Sequence, residues 1–421
     1  MNATGLEHCD LLIIGTGPAG MAAALAAAPS GVTIVMIDDN PAVGGQIWRD
    51  GPGVKLPDAA LRHREALARL TNVRIVSGTK LVAVPHPKQV LLEDANRGWH
   101  LLYDKLVVCT GARELLLPFP GWTLPGVTGA GGLQALIKGG LSVRGERIVV
   151  AGSGPLLLAV AATAQAAGAH VLRVAEQAPL SAVAAFATSL VRWPAKAVQA
   201  FGLMHPGYRL SSHVLEVSGQ GHVNSVRLQQ GADAIDIACD RVACGFGLIP
   251  NVQIGQTLGC AITDHYAIAV DTWQATSQPD HYAAGECTGF GGSERALVQG
   301  AVAGYAAVGQ YAQAQALWPQ RQHWDAFAAR LHKHFALQPH LKTLASPDTV
   351  VCRCEDVRLS QLTPCQSWIE AKLQTRCGMG ACQGRICGAA TQHLWGWTPP
   401  APRMPISPTR IATLARGTPK N

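Results

Sequence analysis

The sequence is poor in charge: Asp, Glu, Lys and Arg make up 14% of 421 residues. About a quarter is usual for a soluble globular protein. Aromatic residues reach only 5%. Two readings of the low charge stay open: surface buried against a partner, or alanine and glycine displacing charged residues. The net charge of +7 comes from dispersed Lys and Arg, with no basic run, so no nucleic-acid partner is expected. Residues 11–28 are the most apolar stretch, but glycines and Pro18 break it, so it does not read as a membrane span. MNATGLEHCD lacks a basic n-region and an apolar h-region, so no secretory leader is expected. The expected location is the cytoplasm, with peripheral association at the inner membrane allowed. No C-x-x-C pair precedes residue 350, and Cys9, Cys109, Cys239, Cys244, Cys260 and Cys287 read as small buried apolar residues. Disulfide reduction is therefore not the expected chemistry.

What is present begins at Cys9. The apolar run Asp10 to Ile14 reads as a buried parallel strand. Gly15, Gly17 and Gly20 follow in G-x-G-x-x-G spacing, with Pro18 and Ala19 between them and an alanine-rich helix behind. The first glycine permits the tight turn, the second lets backbone approach a pyrophosphate, and the third lets helix and strand pack closely. The helix N-terminus offers free N–H groups to the phosphates. A second apolar run, Val32 to Ile37, ends in Asp38 and Asp39. An acid there accepts from a ribose 2′-OH, which points to FAD or NAD rather than NADP. Gly44, Gly45 and Gln46 form a second glycine turn. Its spacing favours Asp39 over Asp38 as the ribose acid.

Further on, Leu106 to Val108 reads as a buried strand running into Thr110-Gly111. Residues 118–145, rich in Gly and Pro, read as a crossover linker. Arg147 to Gln177 is a second strand–turn–helix–strand. Gly152 and Gly154 match the first two glycines of the motif, Leu157 stands at the third, and Glu176 sits where a ribose acid would. This unit is expected to hold NAD, another nucleotide such as ATP or FMN (here or at a subunit interface), or nothing. Ala284-Gly285-Glu286 precedes a helix from about Glu294 to Tyr311. Its acid can hold ribityl hydroxyls, and the helix N-terminus can stabilise negative charge on a reduced flavin ring.

Half of the twelve cysteines fall between Cys352 and Cys387. Cys352 and Cys354 form C-x-C; Cys377 and Cys382 form C-x4-C around Gly378 and Gly380, glycines that let backbone curl around a metal and aim N–H groups at sulfur. Four thiolates brought to one centre suit a [2Fe–2S] cluster, or tetrahedral zinc. C-x-C is less typical of zinc. Cys387 follows Cys382 at the same spacing and is an alternative ligand; Cys365 is not expected to be one.

The order G-x-G-x-x-G, T-G, inserted second unit, A-G-E resembles the two-dinucleotide-binding flavoprotein fold. CRCEDV followed by TRCGMGACQGRICG resembles the bacterioferritin-associated-ferredoxin type of [2Fe–2S] domain. Together with PFPGWTLPGV, GGQIWR and AGECTGFGGSER, these stretches resemble the alpha-type subunits of octopine and nopaline oxidases, hydrogen cyanide synthase and D-hydroxyproline or proline dehydrogenases. The resemblance implies an α/β fold in which a second Rossmann-like unit is inserted in the first. Residues 1–117 and 249–320 would bind FAD, 118–145 link, 146–248 form the second unit, 321–397 carry linker helices and the cluster, and 398–421 form a Pro-rich tail lying extended on a neighbouring surface. It implies FAD and a [2Fe–2S] cluster on Cys352, Cys354, Cys377 and Cys382. The 22 residues between Cys354 and Cys377 are a few fewer than that pattern has.

By the same resemblance, an FAD-dependent amino-acid-oxidase-like beta subunit would oxidise an amino or imino acid. This chain would pass the electrons on to a respiratory acceptor, and a further partner would be a small ferredoxin-like subunit. No constellation reads as a general base, and no catalytic residue is assigned. The alternatives are a stand-alone NAD(P)H-dependent reductase and a nucleotide-binding scaffold subunit.

Overall fold

The computed structural model describes residues 6–415; the last six residues of the expected tail lie outside them. The chain forms two compact units. One comprises Met1–Arg113, Ile249–Ala329 and Ala401–Asn421, the other Glu114–Leu248 and Arg330–Pro400.

The first unit is built on a seven-stranded sheet. Its strands include β1 (Glu7–Ile14), β2 (Ile34–Ile37), β3 (Val73–Val76), β4 (Lys80–His86), β5 (Gln89–Glu93) and β6 (Gly98–Val108), in spatial order β3-β2-β1-β6-β5-β4. β1, β2, β3 and β6 pair in parallel, and the strand His281–Ala283 joins β6 in parallel. β4 and β5 turn antiparallel. Leu11 to Ile14 and all of β2 are buried, the continuous apolar run of a sheet covered on both faces. Helix α1 (Pro18–Ala27) starts with Pro at its first turn and is almost wholly buried, as its alanine content allows.

The second unit has an all-parallel five-stranded sheet. The strands Arg147–Gly152, His170–Glu176 and Tyr208–Arg209 lie to one side; Arg241–Gly245 and Val127–Gly129 complete it. An antiparallel meander, Ser212–Ser218, Ser225–Gln230 and Asp233–Ala238, is separate. The expected linker 118–145 holds more than a connection: Val127–Gly129 is an edge strand, and the helix Ala130–Lys138 follows it. Half-buried Glu114 accepts from the N–H groups of Gly131 and Gly132 at 2.6 and 2.8 Å, capping this helix. Its glycines serve that cap; by composition alone they look like a loop. Residues 350–387 form a small core of their own around Cys352, Leu362, Trp368 and Cys377.

Within the first unit, residues 404–414 lie along β4 to β6. The Ile406 N–H donates to the Val82 carbonyl at 2.9 Å, and Lys80 donates to the Pro408 carbonyl. Glu93, 3% exposed, binds Lys80 at 3.0 Å and Arg410 at 3.3 Å. Burial alone would raise its carboxyl; hydrogen bonds from Thr413, Lys80 and Arg410 outweigh that and hold it at about 2, against an ordinary 4.5. A depressed carboxylate stabilises the fold above its unfolded value and loses that contribution as pH falls towards the folded one. Glu93→Gln should therefore cost about 2 kcal/mol at neutral pH, roughly the worth of hydrogen bonds to a charge. The difference in Tm between wild type and variant, followed by circular dichroism, should shrink steadily below pH 4.5.

Candidate cofactor and metal sites

In the first unit, the turn after β1 is shaped by backbone against backbone. A Cβ on Gly15 would overlap the Cys109 carbonyl, and one on Gly20 would overlap the Gly15 carbonyl. These two glycines therefore serve packing. Gly17 differs: a Cβ there would meet only the Gly45 Cα, at 3.8 Å, and a Cβ on Gly45 would sit 3.0 Å from the Gly17 Cα. Gly17 and Gly45 thus face each other across a slot free of side chains, above the start of α1. The Gly44 N–H donates to the Thr16 carbonyl at 2.9 Å, and Arg64 holds the Val43 and Trp48 carbonyls at 2.6 and 3.0 Å. Gln46, beside them, is exposed. Gly111 opens on space with no heavy atom within 4 Å of a Cβ. Thr110 is strapped to Asn251, its hydroxyl donating at 2.7 Å and its carbonyl accepting at 2.9 Å.

The two acids after β2 divide the work. Asp38 is buried and accepts from the Thr16 N–H and hydroxyl at 2.6 and 2.7 Å and from Asn40 at 2.9 and 2.8 Å. It braces the turn. Asp39, next to it, is exposed. Gly285 packs on Ala19, where a Cβ would come within 2.8 Å of the Ala19 methyl. Its N–H donates to the buried Gln299 at 3.0 Å. Burial raises the Glu286 carboxyl, opposed by the Arg295 guanidinium; Arg295 itself pairs with Asp325 at 2.7 Å. The helix Ser293–Ala307 lies on α1 through Gly300 and Gly304, whose Cβ atoms would overlap the Ala19 and Ala23 carbonyls. The G-x-x-x-G spacing of that pair is a sequence signal for this contact, and it lies outside the dinucleotide motifs.

FAD fits this set. It has a side-chain-free slot at Gly17 and Gly45, Pro18 and Ala19 opening a helix at its floor, and an exposed acid at the end of β2. Cys109 and Cys287 are near enough to interact electrostatically, but burial pushes both thiols up, Cys287 to about 11. Thiols in that state are poor nucleophiles.

The second unit is built differently. A Cβ on Gly152 would overlap the Gly245 carbonyl, while Gly245 makes room for Leu157, whose Cδ2 would lie 3.1 Å from a Gly245 Cβ. The missing third glycine is thus replaced by one on the adjacent strand. Glu176, expected at a ribose, has no exposed surface; its carboxylate accepts from the Gly154 and Ala178 N–H groups at 2.7 and 2.9 Å. Burial lifts its pKa to about 7 against those hydrogen bonds. Cys239 and Cys244 have C-x4-C spacing, but both are buried free thiols, and burial raises both.

Among the C-terminal cysteines, the sulfurs of Cys352, Cys377 and Cys387 lie within 4.8 Å of one another, all buried. Hydrogen bonds from Cys377 and Cys387 hold the Cys352 thiol down at about 2. Three buried sulfurs this close are a donor set that a metal could hold once the thiols are deprotonated. Cys354 is exposed and hydrogen bonds to Cys382. A Cβ on Gly380 would overlap the Cys354 Cβ, so that glycine lets the loop pass close to this cysteine. Gly378 does not; a Cβ there would come within 2.5 Å of the Trp368 ring, which Gly384 also approaches. The loop curls around an indole. Cys365 points to the Gln361 carbonyl, 3.8 Å away. Cys387 therefore joins the four expected ligands as a fifth candidate. The Trp122 indole donates to the Val350 carbonyl at 2.6 Å, and Arg353, between Cys352 and Cys354, lies 4.8 Å over its ring.

Residues 9–316 match the sequence model of the pyridine nucleotide-disulphide oxidoreductases. Hydrogen cyanide synthase subunit HcnB of Pseudomonas aeruginosa is 32% identical over 94% of this chain and 96% of its own. An opine oxidase subunit of Agrobacterium tumefaciens is 29% identical over 97% and 92%. L-proline dehydrogenase from P. horikoshii has the same fold, with a TM-score of 0.69 at 20% identity over 98% of this chain and 80% of that one. Gly17→Ala keeps an extended backbone any residue adopts, so the variant should fold with unchanged Tm and retain roughly a tenth of the wild-type flavin by absorbance, because the methyl fills the pyrophosphate slot. Gly20→Ala should fail to fold.

Proposed function

We propose that this chain, which belongs to the pyridine nucleotide-disulphide oxidoreductase family, is the electron-transferring subunit of a heteromeric amino-acid dehydrogenase. A partner resembling the FAD-dependent amino-acid oxidases oxidises a C–N bond of D-hydroxyproline, proline or an opine. This chain takes over the electrons and delivers them towards a respiratory acceptor; a further partner is a small ferredoxin-like subunit. One observation carries the reading: a dinucleotide cradle and a close cluster of three buried cysteine sulfurs occur on one chain. Among the described cysteines ahead of residue 350, all are buried and free, which suits a carrier better than a disulfide reductase.

FAD would lie over Gly15, Gly17, Pro18, Ala19 and Gly20, with Asp39 at its ribose, Gly44, Gly45 and Gln46 beside the chain, and Thr110, Gly111, Gly285 and Glu286 along its length. It supplies two-electron chemistry when bound. A [2Fe–2S] cluster would take four of Cys352, Cys354, Cys377, Cys382 and Cys387 and supply one-electron transfer. The relatives are named as subunits. Among the described residues, no helix is long and apolar enough to cross a membrane. A partner surface is also supported by the helices Leu180–Ser189 and Pro194–Gly202, with Val198 and Phe201 exposed by 74% and 84% and Val191 between them by 82%. Apolar side chains so open commonly mark interaction surfaces.

The test is an anaerobic titration of the purified chain, or of the co-expressed complex where the chain alone lacks flavin. NADH and NADPH should leave the flavin bands unchanged, and dithionite should bleach them. Bleaching by either nucleotide would replace this reading with the stand-alone reductase. Iron and acid-labile sulfide should each approach about two per chain. Cys352→Ser should lose both while the flavin spectrum stays.

A further inference from the structure

The nucleotide turn of the second unit is occupied by the unit's own chain. Phe335 lies against Gly154; a Cβ on that glycine would be 3.8 Å from the Phe335 Cβ and Cγ. The Ser153 hydroxyl donates to the Phe335 carbonyl at 2.8 Å. Gln177 follows Glu176 as Asp39 follows Asp38, but it is uncharged and 2% exposed. Its side-chain amide donates to the Ser153 hydroxyl at 2.9 Å and the Ala336 carbonyl at 3.2 Å, and its Oε1 accepts from the Gln338 N–H at 3.1 Å. The Phe335 ring packs edge-on against Phe186, centroids 5.0 Å apart. At the matching place in the first unit, Gly17 faces another glycine and Asp39 is exposed.

We infer that the segment Phe335–Gln338 seals the second nucleotide turn by standing where a nucleotide would, so that this unit takes no nicotinamide cofactor. Each group a dinucleotide needs there is already used. The glycine that should border a pyrophosphate borders an aromatic ring. The residue at the ribose position is a buried amide bound to the strap at two points, and Glu176 spends both oxygens on its own backbone. A nucleotide would have to displace Phe335 and break the hydrogen bonds of Ser153 and Gln177 together. A strap seated in all but about one molecule in a hundred weakens apparent affinity about a hundredfold. An intrinsic Kd of about 10 μM would then appear near 1 mM.

The test uses the full chain saturated with FAD, so that the first unit is filled. Calorimetric titration with NADH, NADPH and ATP should show no saturation up to about 1 mM. The double variant Phe335→Ala with Gln177→Glu, which removes the ring and restores the acid, should gain at least about tenfold in affinity for one of the three. In wild type, the Gln338 amide should stay protected from hydrogen exchange with and without nucleotide. Saturable wild-type binding below about 0.1 mM, or loss of Gln338 protection when nucleotide is added, overturns the inference. The exchange measurement stands even where the double variant does not fold. The outcome is separable from the proposed function: nucleotide that binds without reducing flavin sinks the seal and leaves the carrier role, whereas nucleotide that reduces flavin sinks both.

Discussion

The first unit depends on a contact between two helices with almost no side chain between them. Gly300 and Gly304 bring the helix Ser293–Ala307 down on the Ala19 and Ala23 carbonyls of α1. That approach sets Gly285 on Ala19 and so places the acid-bearing turn of residues 285–286 beside the glycine turn of residues 15–20. Three stretches far apart in sequence converge on the first turn of one helix. Any side chain larger than hydrogen at Gly300 would overlap the Ala19 backbone and push the helices apart. Small residues at this seam are a geometric requirement of the site, beyond their cost in helix propensity.

Much of this was legible from the sequence because it rests on local pattern. The run Leu11–Ile14, the glycine spacing and the alanine helix announce a strand–turn–helix whatever packs on them. What the sequence hid is long-range. Two acids follow β2, and only the fold shows that Thr16 and Asn40 surround Asp38. Leu157 reads as a defect until Gly245, on a strand about ninety residues later, proves to make room for it. Gly378 looked like metal-loop chemistry, but its neighbour is the Trp368 ring. Spacing finds the glycine; only the fold shows what presses on it.

The two units also show that a shared topology does not fix a shared use. Both carry a parallel strand, a glycine turn, a helix and an acid at the end of the next strand. One leaves its turn facing another glycine, while the other closes on its own chain. The difference lies in a few side chains: Gln177 in place of an exposed acid, and an aromatic residue arriving from a later segment. Trp122 shows the same economy in the second unit, where one indole steadies the strand carrying Cys352 and stacks on Arg353.

The placement of residues 404–414 has a consequence for how the protein is made. Glu93 is synthesised early, but Arg410 and Thr413, which share its charge, are translated more than three hundred residues later. During that interval a carboxylate destined for burial has only Lys80 as a counter-charge, and the β4–β6 face waits for its cover. The first unit therefore cannot reach its final state as a nascent N-terminal piece. It closes only after the cysteine-bearing segment has emerged, so the two units become complete at nearly the same moment of synthesis.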